Sequence, residues 1–239
     1  MSTIAIFGAG PALGMAVARR FGREGFRVAL VARDRGRLDG MAAELAGEGI
    51  EAAGFEADLA DRAAALEAAG AIETRFGPVD VLEYSPTPTG SRPRVVPSQI
   101  DVTAVVEPLD MHVLTPVALA RRVLPGMLER GNGGLLFALG ASAKYPMPRL
   151  ASGMAGAALR SYAHALHAEV APNGVYAGTL LIGALIENSA AHRNAAAWSA
   201  DTGSQQLAVV TAGDLADRYW DMYTKRDRAE DEVAPGLAA

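Results

Sequence analysis

A glycine-rich turn near the N-terminus has the residue types that hold a dinucleotide by its phosphates. The turn has the sequence Gly8-Ala9-Gly10-Pro11-Ala12-Leu13-Gly14 and joins a short apolar run to a segment with helical spacing. Glycine tolerates positive φ and lets the backbone approach a pyrophosphate without a Cβ in the way. A helix that begins near Pro11 would direct its N–H groups and the positive end of its dipole at the phosphates. We predict that Gly8 and residues 10–14 bind a dinucleotide; the alternative is an ordinary connection between strand and helix.

Two further positions indicate which dinucleotide the site would bind. A site that prefers NAD places a carboxylate near the end of the second strand, to bind the ribose 2′-hydroxyl. Here that strand ends in Ala32, and Arg33 follows with a guanidinium that can bind a 2′-phosphate. The adjacent Asp34 leaves open a simple surface pair with Arg33. Asp58, after the third strand, could accept a hydrogen bond from the adenine amine or cap the next helix. The pattern favours NADP(H) over NAD(H).

The elements that must position these residues alternate along the chain. Short apolar runs predict strands at residues 4–7, 28–32, 53–56, 79–83, 135–139 and 175–182. Segments with helical spacing lie between them, and this alternation implies βαβ units with right-handed crossovers. We predict an α/β fold: a single Rossmann-type domain over residues 1–239, with a doubly wound parallel sheet and helices on both faces.

Composition excludes several classes of function. The 239 residues are 50% hydrophobic, carry a net charge of −5 and include no cysteine. Weak acidity argues against nucleic-acid binding, and the lack of cysteine excludes disulfides, a thiol nucleophile and Cys-ligated metal. The first strand begins after three residues, which leaves no room for an export signal, and we find no apolar run that approaches membrane-spanning length. We expect a cytoplasmic protein without a metal.

From residue 3 to about residue 187 the chain resembles the short-chain dehydrogenases/reductases. The likeness rests on the glycine turn, on Arg33, on Asp58-Leu59 and on residues 77–82, 123–125, 133–134, 157–160 and 168–169. Gly8 and Gly14 match the ends of the family's G-x-x-x-G-x-G pattern, while Ala12 replaces its middle glycine. The resemblance implies an oxidoreductase acting on a small carbonyl, alcohol or C=N compound. It also extends the expected cofactor contacts to Leu59, Tyr84 and Gly183.

The catalytic half departs from the family pattern. Where the family has Asn-Asn-Ala-Gly after the fourth strand, this chain has Tyr84-Ser85-Pro86-Thr87. The family's helix asparagine aligns with His112, and its substrate-orienting serine aligns with Ala141.

The family's proton donor is missing altogether. Its Tyr-x-x-x-Lys pair falls on Ser152 and Gly156, and no tyrosine precedes a lysine by four residues in this helix. Its nicotinamide-contacting threonine falls on Glu187. The adenosine half of the site therefore follows the family, whereas the nicotinamide half does not.

Hydride transfer to a carbonyl needs a proton donor within hydrogen-bond reach of the developing alkoxide. Our candidates are Tyr84, His112, Ser142 and Tyr145. The alternative for Tyr84 is that its aromatic ring packs against the cofactor or the core. A histidine at position 112 can titrate near neutral pH and so could donate a proton. The alternative is a buried histidine that is hydrogen-bonded to the backbone.

The loop after the fifth strand supplies the other candidates. Lys144 precedes Tyr145, and a neighbouring cation lowers the pKa of a tyrosine. Adjacent residues of an extended segment point in opposite directions, however, so the alternative is an exposed lysine and a packing tyrosine. Ser142 and Ser152 are small polar groups nearby. The following helix carries Tyr162, His164 and His167, which we assign to packing rather than to metal binding.

Three segments flank the expected site. Residues 85–99 are proline-rich and are expected to form a loop rim over it, residues 187–200 with His192 and Trp198 match the family's substrate lid, and residues 229–239 are expected to fray. The fourth and fifth helices commonly form interfaces in this family, so we expect a homodimer or homotetramer. Loss of the usual proton donor leaves two alternatives to an oxidoreductase: a non-redox enzyme (isomerase, lyase or cyclase) or an NADP(H)-binding sensor.

Overall fold

The computed structural model describes residues 1–87, 97–145, 153–193 and 208–234. The strands of these ranges are β1 (Thr3–Phe7), β2 (Arg27–Ala32), β3 (Ala52–Glu56), β4 (Val81–Tyr84), β5 (Gly133–Gly140), β6 (Val175–Ile182), β7 (Leu185–Ile186), β8 (Val209–Val210) and β9 (Glu230–Val233). Seven of them form one parallel sheet in the order β3-β2-β1-β4-β5-β6-β9, and β7 pairs with β8. The six predicted strands are confirmed within two residues at each end.

Helices cover both faces of this sheet. They are α1 (Leu13–Arg23), α2 (Arg35–Gly47), α3 (Arg62–Phe76), α4 (Val102–Leu109), α5 (Thr115–Arg130), α6 (Gly153–Val170), α7 (Ala190–Arg193) and α8 (Ala212–Lys225). Successive side chains of a strand point to opposite faces. Phe7 and Leu82 therefore pack in a core with α3, α5 and α6, whereas Ile6 and Val81 pack in a second core with α1, α2 and α8. The predicted doubly wound single domain is confirmed.

The strand order reverses between β1 and β4, which lie side by side. In open α/β sheets a crevice forms at the carboxyl ends of the strands at such a reversal, and ligands bind there. The glycine turn follows β1 and residues 85–87 follow β4, so the fold brings both segments to this crevice.

The helical run Val102–Arg130 corrects the expectation that no apolar segment approaches membrane-spanning length. By length and composition it is apolar enough to cross a membrane. It comprises α4, a π-helical turn (Asp110–Leu114) and α5. Leu119, Ala120 and Val123 of α5 lie in the sheet core, whereas Val102 of α4 is 77% exposed.

The C-terminal strand β9 corrects the expectation that residues 229–239 fray. Residues Glu230–Val233 pair with β6 at the edge of the sheet. The three consecutive acidic residues at 230–232 are typical of a solvent-exposed segment. The strand forms because Glu230 and Glu232 meet cations of α6 and of the loop after β5. The last five residues lie outside the described ranges.

Candidate cofactor site and active site

Two glycines of the turn are required by the packing around them. Gly8 has φ +98°, and a Cβ there would lie 2.6 Å from Pro86 N. A Cβ on Gly14 would lie 2.9 Å from Ala9 Cα. The Gly8 and Ala9 N–H groups donate to the Val31 carbonyl at 3.0 and 2.9 Å. The turn is thereby fixed against β2 on one side and against the segment after β4 on the other.

The start of α1 has the features of a phosphate cradle. A Cβ on Gly10 would meet no atom closer than 3.9 Å, so the space above this residue is open. Ala12 occupies the N-cap and offers no side-chain hydrogen bond. Four other helices, in contrast, are capped by the side chains of Asp34, Asp61, Asp101 and Thr211. The helix begins at Leu13 rather than near Pro11, and its uncapped N-terminus suits an anionic ligand.

A surface cavity of about 390 Å³ adjoins this cradle. Pro11 and Ala12 line one wall, and Glu187 and Asn188 line another. It continues outward between α1 and α8, so only its inner end belongs to the crevice. Asn188 has a left-handed backbone, with φ +59°. Because both walls line one cavity, the segment after β7 faces the glycine turn.

Arg33 and Asp34 lie between β2 and α2. Arg33 follows β2 and is exposed. Asp34 caps α2, accepting a hydrogen bond from the Arg37 N–H at 3.0 Å, and its other oxygen lies 3.8 Å from the Arg37 guanidinium. Asp34 thus has a structural function of its own.

Asp58 is exposed after β3 and accepts a hydrogen bond from the Ala60 N–H at 3.0 Å. The cap of α3 is Asp61, so the alternative interpretation of Asp58 as that cap is wrong. The side chain of Leu59 lies in the core, which leaves its backbone for a cofactor contact.

Tyr84 is not placed as a proton donor. It is 1% exposed, lies in the core between the sheet and the α3, α5 and α6 layer, and its hydroxyl donates to the Met111 carbonyl. Burial raises the pKa of the phenol far above its usual value. A hydroxyl that is buried and already bonded cannot release its proton to a substrate. The predicted catalytic role and cofactor contact of this side chain are therefore wrong, and its alternative role in the core is correct.

His112 lies in the π turn between α4 and α5 and is half-buried. Met111, the acceptor for Tyr84, is the preceding residue of the same turn. A π turn inserts an extra residue into a helix, and such turns recur at functional sites. The catalytic role of His112 stays a prediction.

Tyr145 lies at the outer corner of the carboxyl edge. Its hydroxyl donates to Glu232 of β9 at 2.8 Å, and Lys144 pairs with the same carboxylate. The hydrogen bond with Glu232 raises the pKa of Tyr145 despite the neighbouring lysine. The expectation that Lys144 would make Tyr145 a stronger acid is wrong, because the carboxylate outweighs the cation.

Ser142 stays a candidate for contact with substrate. It lies in a 3₁₀ turn (Ala141–Ala143) directly after β5, half-buried at the carboxyl edge. A Cβ on Gly153 would lie 2.7 Å from the Ser142 carbonyl, so the turn packs tightly on the start of α6. Gly183 is required by packing too, since a Cβ there would lie 2.3 Å from the Ala234 carbonyl. Its predicted cofactor contact stays a prediction.

The remaining predicted residues have structural partners or lie outside the described ranges. His192 accepts from the Asn188 N–H at 3.2 Å, and His164 and His167 bond to Glu230 and to the Ala177 carbonyl. Ser152 and Trp198 lie outside the described residues, as do residues 88–96 of the loop rim and residues 194–200 of the lid. Within the described ranges no group of three His, Asp or Glu residues could hold a metal ion.

Sequence reasoning missed Glu83, a buried acid beside the crevice, and Glu230. Arg160 and Lys144 pair with Glu230, and these partners hold its pKa down, against burial, at about 2. The available signal for Glu83 was a carboxylate directly after Val81 and Leu82, at the end of the predicted strand 79–83.

Comparisons with known proteins agree with this geometry. The family model for short chain dehydrogenases matches residues 2–200. A short chain dehydrogenase of Pseudocercospora fijiensis is 30% identical over 175 residues, which cover 72% of this chain and 56% of that protein. The chain spans 55% to 70% of the length of three such curated relatives.

Solved structures of similar fold include two NADPH complexes. L-sorbose reductase from Gluconobacter frateurii, complexed with NADPH and L-sorbose, has a TM-score of 0.84 at 21% identity and covers 99% of this chain and 96% of its own. An NADPH-bound short chain oxidoreductase of Pseudomonas aeruginosa, which contains an atypical catalytic center, has a TM-score of 0.81 at 21% identity and covers 99% and 96%. These likenesses show the fold, and the family model shows the family: the chain belongs to the short-chain dehydrogenases.

Proposed function

We propose that this chain is an NADP(H)-dependent oxidoreductase with a non-standard proton donor, acting on a small carbonyl, alcohol or C=N compound. The observation that carries the proposal is the cradle at the start of α1, where Gly10 opens onto space and Ala12 leaves the helix uncapped. Arg33 stands at the end of the neighbouring strand, two residues beyond the Val31 carbonyl that anchors the turn.

These residues fit the parts of NADP(H) in a consistent order. The N–H groups at the start of α1 would bind the pyrophosphate, and the Arg33 guanidinium would bind the 2′-phosphate through charge-assisted hydrogen bonds. The exposed Asp58 carboxylate would accept from the adenine amine. That two proteins of similar fold are NADPH complexes supports this assignment.

With NADPH bound, a hydride would be available for the carbonyl carbon of a substrate, and a group of the protein would supply the proton to the oxygen. Burial disfavours Tyr84 as the donor, and the bond of the Tyr145 hydroxyl with Glu232 disfavours Tyr145. His112 in the π turn is the donor that we retain, and Ser142 would orient the carbonyl oxygen. The NADPH-bound Pseudomonas protein with its atypical center is a precedent for a departure of this kind.

One sample tests the proposal with two measurements: NADPH binding by fluorescence, then NADPH consumption over a panel of carbonyl and imine compounds. Binding with consumption of at least one compound is expected. Absence of binding would refute the proposal. Binding without consumption would favour a non-redox enzyme or an NADP(H) sensor. Both alternatives are consistent with the loss of the family's Tyr-x-x-x-Lys pair.

We also propose that copies of this chain associate through α4, α5 and α6. Val102, Val106 and Leu114 expose apolar side chains along the outer face of α4 and the π turn. Burial of such a face against a second copy is favourable. Light scattering at micromolar concentration should give a dimer or tetramer, and a monomeric mass would contradict the proposal.

A further inference from the structure

β4 carries a buried acid that the proposed chemistry does not use. Glu83 is 0% exposed and lies between Ile6 of β1 and Leu136 of β5 in the sheet. Its side chain points to the face covered by α1 and α8, opposite to that of Tyr84. Burial of a carboxyl at a position suited to an apolar residue costs free energy unless hydrogen bonds compensate for it.

Two hydroxyl groups accompany this carboxyl. The Ser85 hydroxyl donates to Glu83 Oε2 at 3.0 Å. The phenol of Tyr219 in α8 is also 0% exposed and lies beside Glu83. Neither Glu83 Oε1 nor the Tyr219 hydroxyl has a well-aligned hydrogen-bond partner among the described residues. Burial raises the pKa of Glu83 to about 8, against the opposing effect of the Ser85 and Tyr219 hydroxyls, and so favours the neutral carboxyl.

Ser85 connects this buried group to the cofactor turn. Its N–H donates to the Phe7 carbonyl at 2.9 Å, at the end of β1. The Ser85–Pro86 peptide lies directly against Gly8, because a Cβ on Gly8 would be 2.8 Å from Ser85 C and 2.6 Å from Pro86 N. The peptide that Glu83 holds is therefore the surface on which the first glycine of the turn packs.

We propose that Glu83 is a positioning residue for the dinucleotide site: through Ser85 it fixes the Ser85–Pro86 peptide against Gly8 and so sets the position of the glycine turn. This inference rests on the proposed function, since it concerns the same cofactor site. It predicts an effect on the pyrophosphate end, which NADPH and NADH share.

The test is a double-mutant cycle read out as dissociation constants for both NADPH and NADH. Glu83→Leu and Ser85→Ala should each weaken both dinucleotides by about 3- to 10-fold, the range expected for one hydrogen bond. The double variant should lose no more than Glu83→Leu alone, because the two residues act through one contact. Glu83→Gln retains a neutral acceptor for Ser85, and it should stay within about twofold of wild type.

The controls separate positioning from a merely structural role. Circular dichroism and melting curves establish that each variant folds. Lower melting temperatures with unchanged dissociation constants, losses that multiply in the double variant, or a Gln variant as weak as Leu would each overturn the inference. If Glu83→Leu does not fold, Ser85→Ala decides: unchanged affinity in that variant overturns the inference. Wild-type protein that binds no NADPH refutes the proposed function instead.

Discussion

The Tyr84 hydroxyl donates a hydrogen bond to the Met111 carbonyl, which ties the end of β4 to the π turn that carries His112. A tyrosine at the position of a family asparagine thus anchors the neighbouring candidate donor instead of donating a proton itself.

Tyr84→Phe should lower the free energy of unfolding by about 0.5–1.5 kcal/mol, because the bond to the half-buried Met111 turn is lost. Once a substrate is known, the same change should lower kcat by up to about 100-fold through misplacement of His112, with the dissociation constant for NADPH unchanged. Denaturant titration and steady-state kinetics measure both effects. A stability loss with unaltered kcat would mean that the bond does not position His112.

His112→Ala should lower kcat by roughly 10²- to 10⁴-fold, the usual contribution of a proton donor, and leave NADPH affinity unchanged. Tyr145→Phe is the matched control, because that hydroxyl is bound to Glu232 and should leave kcat within about twofold. The reverse pattern, with Tyr145→Phe inactive and His112→Ala active, would exchange their assigned roles.

Arg33→Ala should weaken NADPH by at least tenfold and change NADH affinity little, because only NADPH carries the 2′-phosphate. Paired titrations with the two dinucleotides measure this selectivity. Arg37→Ala is the control: its guanidinium lies beside Asp34 at the start of α2, and both affinities should be retained. Equal losses for NADPH and NADH in Arg33→Ala would place Arg33 away from the 2′-phosphate.

Glu83 should make stability depend on pH in the direction opposite to an ion-paired acid. Its pKa is raised to about 8 in the fold from an ordinary 4.5. Between those values the folded state holds a proton that the unfolded state has released, so stability falls as pH rises and levels off above about pH 8. Glu83→Gln should therefore gain stability over wild type across this window, by a few kcal/mol at about 1.4 kcal/mol per pKa unit. An equal difference at pH 5 and pH 8 would show that Glu83 does not titrate in the fold.

The sheet was predictable because apolar runs such as 4–7 and 175–182 alternate with helical spacing. β9 was not, because its acidic residues pair with Lys144 and Arg160, contacts between distant parts of the chain. At the site, residue type and position identified the glycine turn. They did not reveal where the Tyr84 and Tyr145 hydroxyls are bonded, since the direction of a hydroxyl depends on tertiary partners.

We propose that the start of α1 binds NADP(H), and Gly10 provides the most direct test of this binding. A Cβ fits at Gly10 without a clash, so Gly10→Asp should fold normally while placing a carboxylate where the pyrophosphate would lie. Gly40→Asp is the matched control, since a Cβ at Gly40 in α2 meets nothing within 4 Å. Titration with NADPH should give saturable binding for wild type and Gly40→Asp, and at least 100-fold weaker binding for Gly10→Asp. Equal binding by all three proteins, or none by wild type, would contradict the account.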